Sequence, residues 1–165
     1  MGDLINVDKI FYNDMIWLSK AMGTSKSGRF FDVIDVKNGK IYATDGKRLH
    51  VMDNELKLSD GSYNILSKAK PHIILEKIEA ASFPDCEGVI PKEMNKLADS
   101  FGDEGEYKKN IFISYCLIEG GVYVDSDFLK DCFFEGAPFA LYSPEDKQSL
   151  VVKYENKLAM FMARR

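Results

Sequence analysis

Two histidines, three cysteines and a scatter of aspartates are the residues of this 165-residue chain whose types suit covalent or metal chemistry. A thiol becomes a nucleophile when a base sits beside it. His72 with Cys86 or Cys132 would be that pair, and nothing in their spacing supports it. His50 is isolated too, and the chain has no Cys-x-x-Cys or His-x-x-x-His, so metal-ligand patterns are missing. Asp125, Asp127 and Asp131 fall where a helix should begin and read as cap and surface, not ligands. There is no Gly-rich phosphate loop. No catalytic residue, metal or cofactor is expected, and the chain is read as a non-enzyme. Cys86, Cys116 and Cys132 are odd in number and widely spaced, which suits free thiols in a reducing cytoplasm.

The length suits one domain with a real core. A hydrophobic fraction of 45% and a charged fraction of 29% are ordinary for a globular chain. No apolar run reaches membrane-spanning length, and the first residues lack the basic-then-apolar form of a signal peptide. Net charge is −4, so any DNA contact must come from a local basic face.

Three helices are expected. Asn13 or Asp14 caps the first and Gly23 ends it, with Phe11, Met15, Leu18 and Met22 on one stripe. Pro91 opens the second and Gly102 closes it, with Met94, Leu97 and Phe101 inward. Asp125 or Ser126 caps the third, Phe128, Leu129, Cys132 and Phe133 face inward, and Gly136 closes it. Strands are expected over Phe30–Val36 and Lys40–Thr44 around the Asn38-Gly39 turn, then over His50–Met52, Tyr63–Leu66 and His72–Ile78. Ile111–Ile118 and Val122–Val124 flank a second Gly-rich turn. Phe139–Tyr142 and Ser149–Tyr154 flank a turn at Ser143-Pro144-Glu145-Asp146, and Leu158–Met162 ends the sheet.

Thr44-Asp45-Gly46-Lys47-Arg48-Leu49 directly follows the strand Lys40-Ile41-Tyr42-Ala43. Phe83-Pro84-Asp85-Cys86-Glu87-Gly88-Val89-Ile90-Pro91 forms a second distinctive segment, and Leu158-Ala159-Met160-Phe161-Met162-Ala163-Arg164-Arg165 a third. In that order they resemble the partner-binding turn, the interdomain linker and the closing strand and tail of bacterial sliding clamps, the beta subunit of DNA polymerase III. Val122 to Asp131 is similar to the strand and helix that open the last half-repeat of a clamp. Cys86 and Glu87 depart from the Tyr and Arg common in the family, and Phe161 from its usual Pro.

The resemblance implies an α+β fold of the DNA-clamp type, two strand-helix-strands half-repeats with helices on one face of an antiparallel sheet. It implies a single clamp-like domain over 1–165, with half-repeats at about 4–82 and 111–165 and a linker and extra helix at 83–110. Clamp subunits carry three such domains in tandem, so a ring would need self-assembly of many copies. The site it implies is a peptide pocket of Thr44, Gly46, Arg48, Leu49, Pro84, Val89, Met160 and Met162. There Gly46 permits a sharp turn, Arg48 holds a ligand oxygen at the rim, and methionines adapt to several partners. Partners would be DNA polymerase or other replication proteins through short hydrophobic peptides, with double-stranded DNA facing Lys9, Lys20, Lys92 and Lys96. The expected role is processivity and tethering in replication or repair. The alternative is a peptide-binding regulatory module that does not encircle DNA, which the acidic third helix favours.

Overall fold

Antiparallel pairing organises almost every regular segment of the computed structural model, which describes residues 2–23, 31–79, 83–100 and 123–163. The chain divides into two compact units, Met1–Cys86 and Glu87–Arg165. In the first unit the elements are β1 (Leu4–Val7), α1 (Tyr12–Ser19), β2 (Ile34–Lys37), β3 (Lys40–Thr44), β4 (Arg48–Asp53), β5 (Gly61–Ser67) and β6 (Ile73–Ile78). The strands lie in the order β1-β6-β5-β2-β3-β4. The Asn-Gly turn forms as expected: Asn38 and Gly39 both take positive φ, at 52° and 76°, which matches the twist of β2 and β3.

Helix α1 sits against β3 and β4 because its apolar side finds its complement there. Met15, Trp17, Leu18 and Ala21 are buried with Ile41, Ala43 and His50. The Trp17 indole stacks on the His50 imidazole, centroids 4.3 Å apart and planes 17° apart. His50 Nδ1 lies 2.8 Å from the Trp17 carbonyl. A carbonyl only accepts, so Nδ1 carries the proton. His50 is thus a fully buried residue of the core. Neither Asn13 nor Asp14 caps α1. Asp8 instead accepts from the Ile10 amide in a 3-10 turn, Lys9–Phe11, that leads into the helix. The helix also stops at Ser19, before Gly23.

The second unit holds β7 (Asn95–Ser100), α2 (Ser126–Cys132), β8 (Phe139–Ser143), β9 (Ser149–Lys153) and β10 (Lys157–Met162). They pair as an antiparallel meander, β7-β8-β9-β10. Asp125 caps α2 by accepting from the Asp127 amide at 2.9 Å. Phe128 meets Phe161 of β10 edge-on at 6.3 Å, which places α2 on the Phe161 face of this sheet. Tyr154 pins the end of the helix: its hydroxyl donates to the Cys132 carbonyl and accepts from the Phe134 amide. Burial pushes the Tyr154 phenol far up, so it stays a donor throughout the working pH range.

The expected second helix is the main correction. Among the described residues of 83–110 there is a 3-10 turn at Glu87–Val89 and the strand β7, and no α-helix. Asn95, Asp99 and Ser100 are weak helix formers, and pairing with β8 satisfies the backbone that a helix would otherwise have to. The β8–β9 turn is also displaced by one residue, closing from Lys147 to the Pro144 carbonyl. Residues 111–118 and 122 lie outside the described residues, and Tyr123 and Val124 are irregular. α2 ends at Cys132, ahead of Gly136.

Asp35 and Cys86 give two checks on packing. Burial raises the Asp35 carboxyl, against the hydrogen bond that Ser62 donates to it. The folded state then holds its proton more tightly than the unfolded chain, so stability falls as pH rises above the ordinary carboxylate value. Asp35→Asn removes this loss. Its stability relative to wild type, from urea denaturation at pH 4 and pH 7, should be more favourable at pH 7. Burial, with the charges of Asp35 and Asp85, pushes the Cys86 thiol up to about 11. Native protein treated with iodoacetamide at pH 7.5 should therefore leave Cys86 and the fully buried Cys132 unmodified by peptide mapping. Both should react in urea.

Candidate functional site

The hairpin connection between β3 and β4 is held by one carboxylate. Asp45 Oδ1 accepts from the backbone amides of Lys47 and Arg48, at 2.9 and 3.0 Å. Its Oδ2 accepts from Arg48 Nε at 3.0 Å. Thr44 closes the same loop from the other side. Its hydroxyl donates to the Arg48 carbonyl at 2.6 Å and accepts from the Gly46 amide at 3.1 Å. The turn is thus self-satisfied and rigid, which lowers the entropy lost when a ligand settles on it. Arg48 was expected to offer its guanidinium to a ligand. Its Nε is spent on Asp45, so it acts first as part of the turn's own framework.

Gly46 takes φ +89°, a region that favours glycine. A Cβ there would meet the Phe31 ring at 3.1 Å, so this aromatic lies against the turn. The sequence held no signal for that contact beyond an aromatic in the preceding strand region.

Register tells which face each residue occupies, since paired residues share a face and neighbours along a strand alternate. Ala43 pairs with His50, on the α1 side. Thr44 pairs with Leu49 on the opposite face. On that face, two positions along, lies the row Ser62, Asp35, Tyr42 and Val51. Cys86 lies close enough for Asp35's charge to help raise its thiol. Thr44 and Leu49 thus share one face of the first unit's sheet, and Pro84 lies in the same unit. Leu49 is only 2% exposed, a floor residue rather than a rim one, while Pro84 is exposed.

Val89, Met160 and Met162 belong to the second unit. Val89 is 58% exposed in the 3-10 turn. Met160 and Met162 share the face of β10 opposite to Phe161 and α2; the first is 7% exposed and the second 46%. The pattern is a buried methionine with an exposed one beside it.

The lysines expected to face DNA are dispersed among different kinds of element. Lys9 and Lys20 are exposed just before and just after α1. Lys92 and Lys96, expected on a helix, are not on one. Lys92 is in an irregular stretch, and Lys96 lies on β7, bonded to Asp99 at 2.8 Å. A cleft of about 740 Å³ in the second unit is lined by Lys92, Glu93, Met94, Asn95 and the Pro144–Asp146 turn. None of the expected peptide-site residues lines it. Among the described residues no cluster of His, Cys, Asp or Glu could hold a metal, and no helix is long and apolar enough to cross a membrane.

The turn makes a stability prediction. Gly46→Ala adds a strained φ and a close contact with Phe31, and should cost about 1–2 kcal/mol in urea denaturation. Gly39→Ala is equally strained but meets open space, and should cost less.

No family model and no curated protein matches the sequence. Solved structures do match. The chain is similar to the DNA polymerase sliding clamp of Pseudomonas aeruginosa, with a TM-score of 0.61 at 14% identity, covering 100% of this chain and 68% of that one. It is similar to the Bacillus subtilis sliding clamp, TM-score 0.66 at 12% identity, covering 99% and 64%. It is also similar to the Helicobacter pylori beta clamp bound to a DNA ligase peptide, TM-score 0.59 at 14% identity, covering 98% and 65%. The chain spans about two thirds of the length of these proteins. Its antiparallel strands and few helices follow the sliding-clamp fold along essentially the whole of its length.

Proposed function

We propose that this chain is a sliding-clamp-like tethering factor of DNA replication or repair, acting without catalysis by holding short hydrophobic peptides of partner proteins. The observation that carries this reading is the rigid Thr44–Leu49 turn, set on a clamp-type sheet with Leu49 as its apolar floor. In this reading Gly46 and Arg48 shape the patch and Pro84 adds to it. Val89, Met160 and Met162 supply exposed and half-covered apolar contacts in the second unit. An extended peptide needs only a few such anchors to bind specifically. The ligase peptide bound to the Helicobacter pylori clamp is the kind of ligand expected.

A second reading is a peptide-binding regulatory module that does not encircle DNA. Two observations favour it. α2 carries Asp127 and Asp131 against a single Lys130, and Lys92 and Lys96 do not line a helix. Acidic groups facing phosphate forfeit counterion release. A ring would require self-association of copies. DNA contact would then rest first on Lys9 and Lys20, and Lys92 and Lys96 would add to it from elsewhere. Light scattering across a range of concentrations separates the two readings, since only a closed multimer fits encirclement.

The peptide test is direct. That ligase peptide, fluorescently labelled, should bind by anisotropy. Met162→Asp, at an exposed position, should weaken it by tenfold or more, about 1.4 kcal/mol. Leu49→Asp should do the same where circular dichroism shows the variant folded. Unchanged affinity in Met162→Asp and in folded Leu49→Asp would remove the peptide reading.

A further inference from the structure

Strand register brings two distant segments together at one end of the first unit's sheet. Val7, the last residue of β1, pairs with Ile73, the first of β6. The chain leaving β1 at Asp8 and the chain entering β6 at His72 are therefore neighbours. The turn before β6 is closed by the His72 amide on the Ala69 carbonyl, at 2.7 Å, and by the Ala69 amide on Ser67 Oγ, at 3.3 Å. The Tyr12 hydroxyl, at the start of α1, donates to the Lys68 carbonyl at 3.3 Å. A strand pair and a side-chain hydrogen bond thus independently fix the 68–72 turn beside the segment that carries Lys9.

Lys9, Lys68 and Lys70 are all exposed, and none of them has an ion-pair partner among the described residues. The carboxylates nearest in the chain are Asp8, whose Oδ1 accepts from the Ile10 amide, and the half-buried Asp14. Three ammonium groups against two carboxylates make a local excess of positive charge on a chain whose net charge is −4. The other expected lysines form no such group: Lys96 is bonded to Asp99, and Lys20 lies past the far end of α1.

We propose that the 68–72 turn and Lys9 form a phosphate-binding edge, on which Lys9, Lys68 and Lys70 neutralise the phosphates of a nucleic-acid backbone without reading its sequence. This rests on the DNA-tethering reading and moves its main contact from helix faces to a turn beside a helix. Lysine suits that task. An ammonium on a flexible stem follows a phosphate that shifts along the protein, whereas fixed recognition of one carboxylate is better served by the planar fork of arginine. Neither segment contains an arginine. The hydrogen-bonded turn holds the lysine backbone in place, and release of counterions from the nucleic acid supplies the affinity.

The test is fluorescence anisotropy of the full chain with a labelled DNA duplex of about 20 base pairs, from about 50 to 200 mM salt. Each single change, Lys9→Gln, Lys68→Gln or Lys70→Gln, should lower the slope of log affinity against log salt by about 0.9, and the triple change by about three. Lys68→Glu combined with Lys70→Glu should weaken binding by roughly tenfold or more at the lowest salt. Lys37→Gln and Lys147→Gln, at exposed positions elsewhere, should change neither quantity. Circular dichroism should be the same for all of these variants, since each altered side chain is exposed. Wild-type binding that the Lys9, Lys68 and Lys70 variants retain, with unchanged slope, overturns the role of the turn and leaves DNA contact to other residues. No binding by wild type at the lowest salt overturns both. Competition by polyglutamate as strong as by unlabelled duplex at equal charge assigns the lysines to an acidic protein surface and overturns the proposal.

Discussion

The stack of Trp17 on His50 decides how the first unit presents its surface. It holds α1 over β3 and β4 and commits the Ala43–His50 pair to the inner side. Strand alternation then leaves Thr44 and Leu49 no choice but the opposite face. The hydrogen bond from His50 Nδ1 to the Trp17 carbonyl sets the angle of the ring as well as its place. The turn beyond this imidazole depends on its packing. The placement of the 44–49 turn is thus a consequence of how the other side of the same hairpin is buried.

The second unit uses the same logic with different side chains. Phe161 packs under Phe128 of α2, and Tyr154 fastens the helix through the Cys132 carbonyl and the Phe134 amide. With Phe161 inward, Met160 and Met162 must face away from α2. Period-two geometry therefore puts Phe161 on one face and both methionines on the other, with Met160 buried and Met162 exposed. Phe161, a departure from the Pro common in the clamp tail, gains a structural reason: it supplies the aromatic that seats the helix.

Within the candidate site, rigidity comes from polar groups and adhesion from apolar ones. Asp45 and Thr44 satisfy the turn internally, so no ligand is needed to order it. In the proposed reading, exposed apolar groups such as Met162 would drive association by releasing water. Arg48, placed between the two roles, is anchored by its Nε on Asp45.

Much of this was legible in the sequence because it is local chemistry. The Asn38-Gly39 turn, the strand leading to Thr44, the Asp125 cap and the position of β10 follow from turn residues, short-range hydrogen bonding and alternation. The Thr44–Leu49 turn stood out through its resemblance to the clamp turn, and only the structure shows Asp45 and Thr44 closing it. What remained hidden was set by partners distant in the chain. Met94, Leu97 and Phe101 have helical spacing, yet 95–100 pairs with β8, since sheet contacts outweigh a weak local preference. Phe31 reaches Gly46, Asp35 acts on Cys86, and Lys153 settles over Tyr142 only once strands are in register. Sequence by itself determined the turns and strands whose signals are local, such as the Asn38-Gly39 turn and β10, but not β7, which forms only by pairing with β8. Only the tertiary structure decided which face each side chain serves, because that depends on what the opposite face must bury.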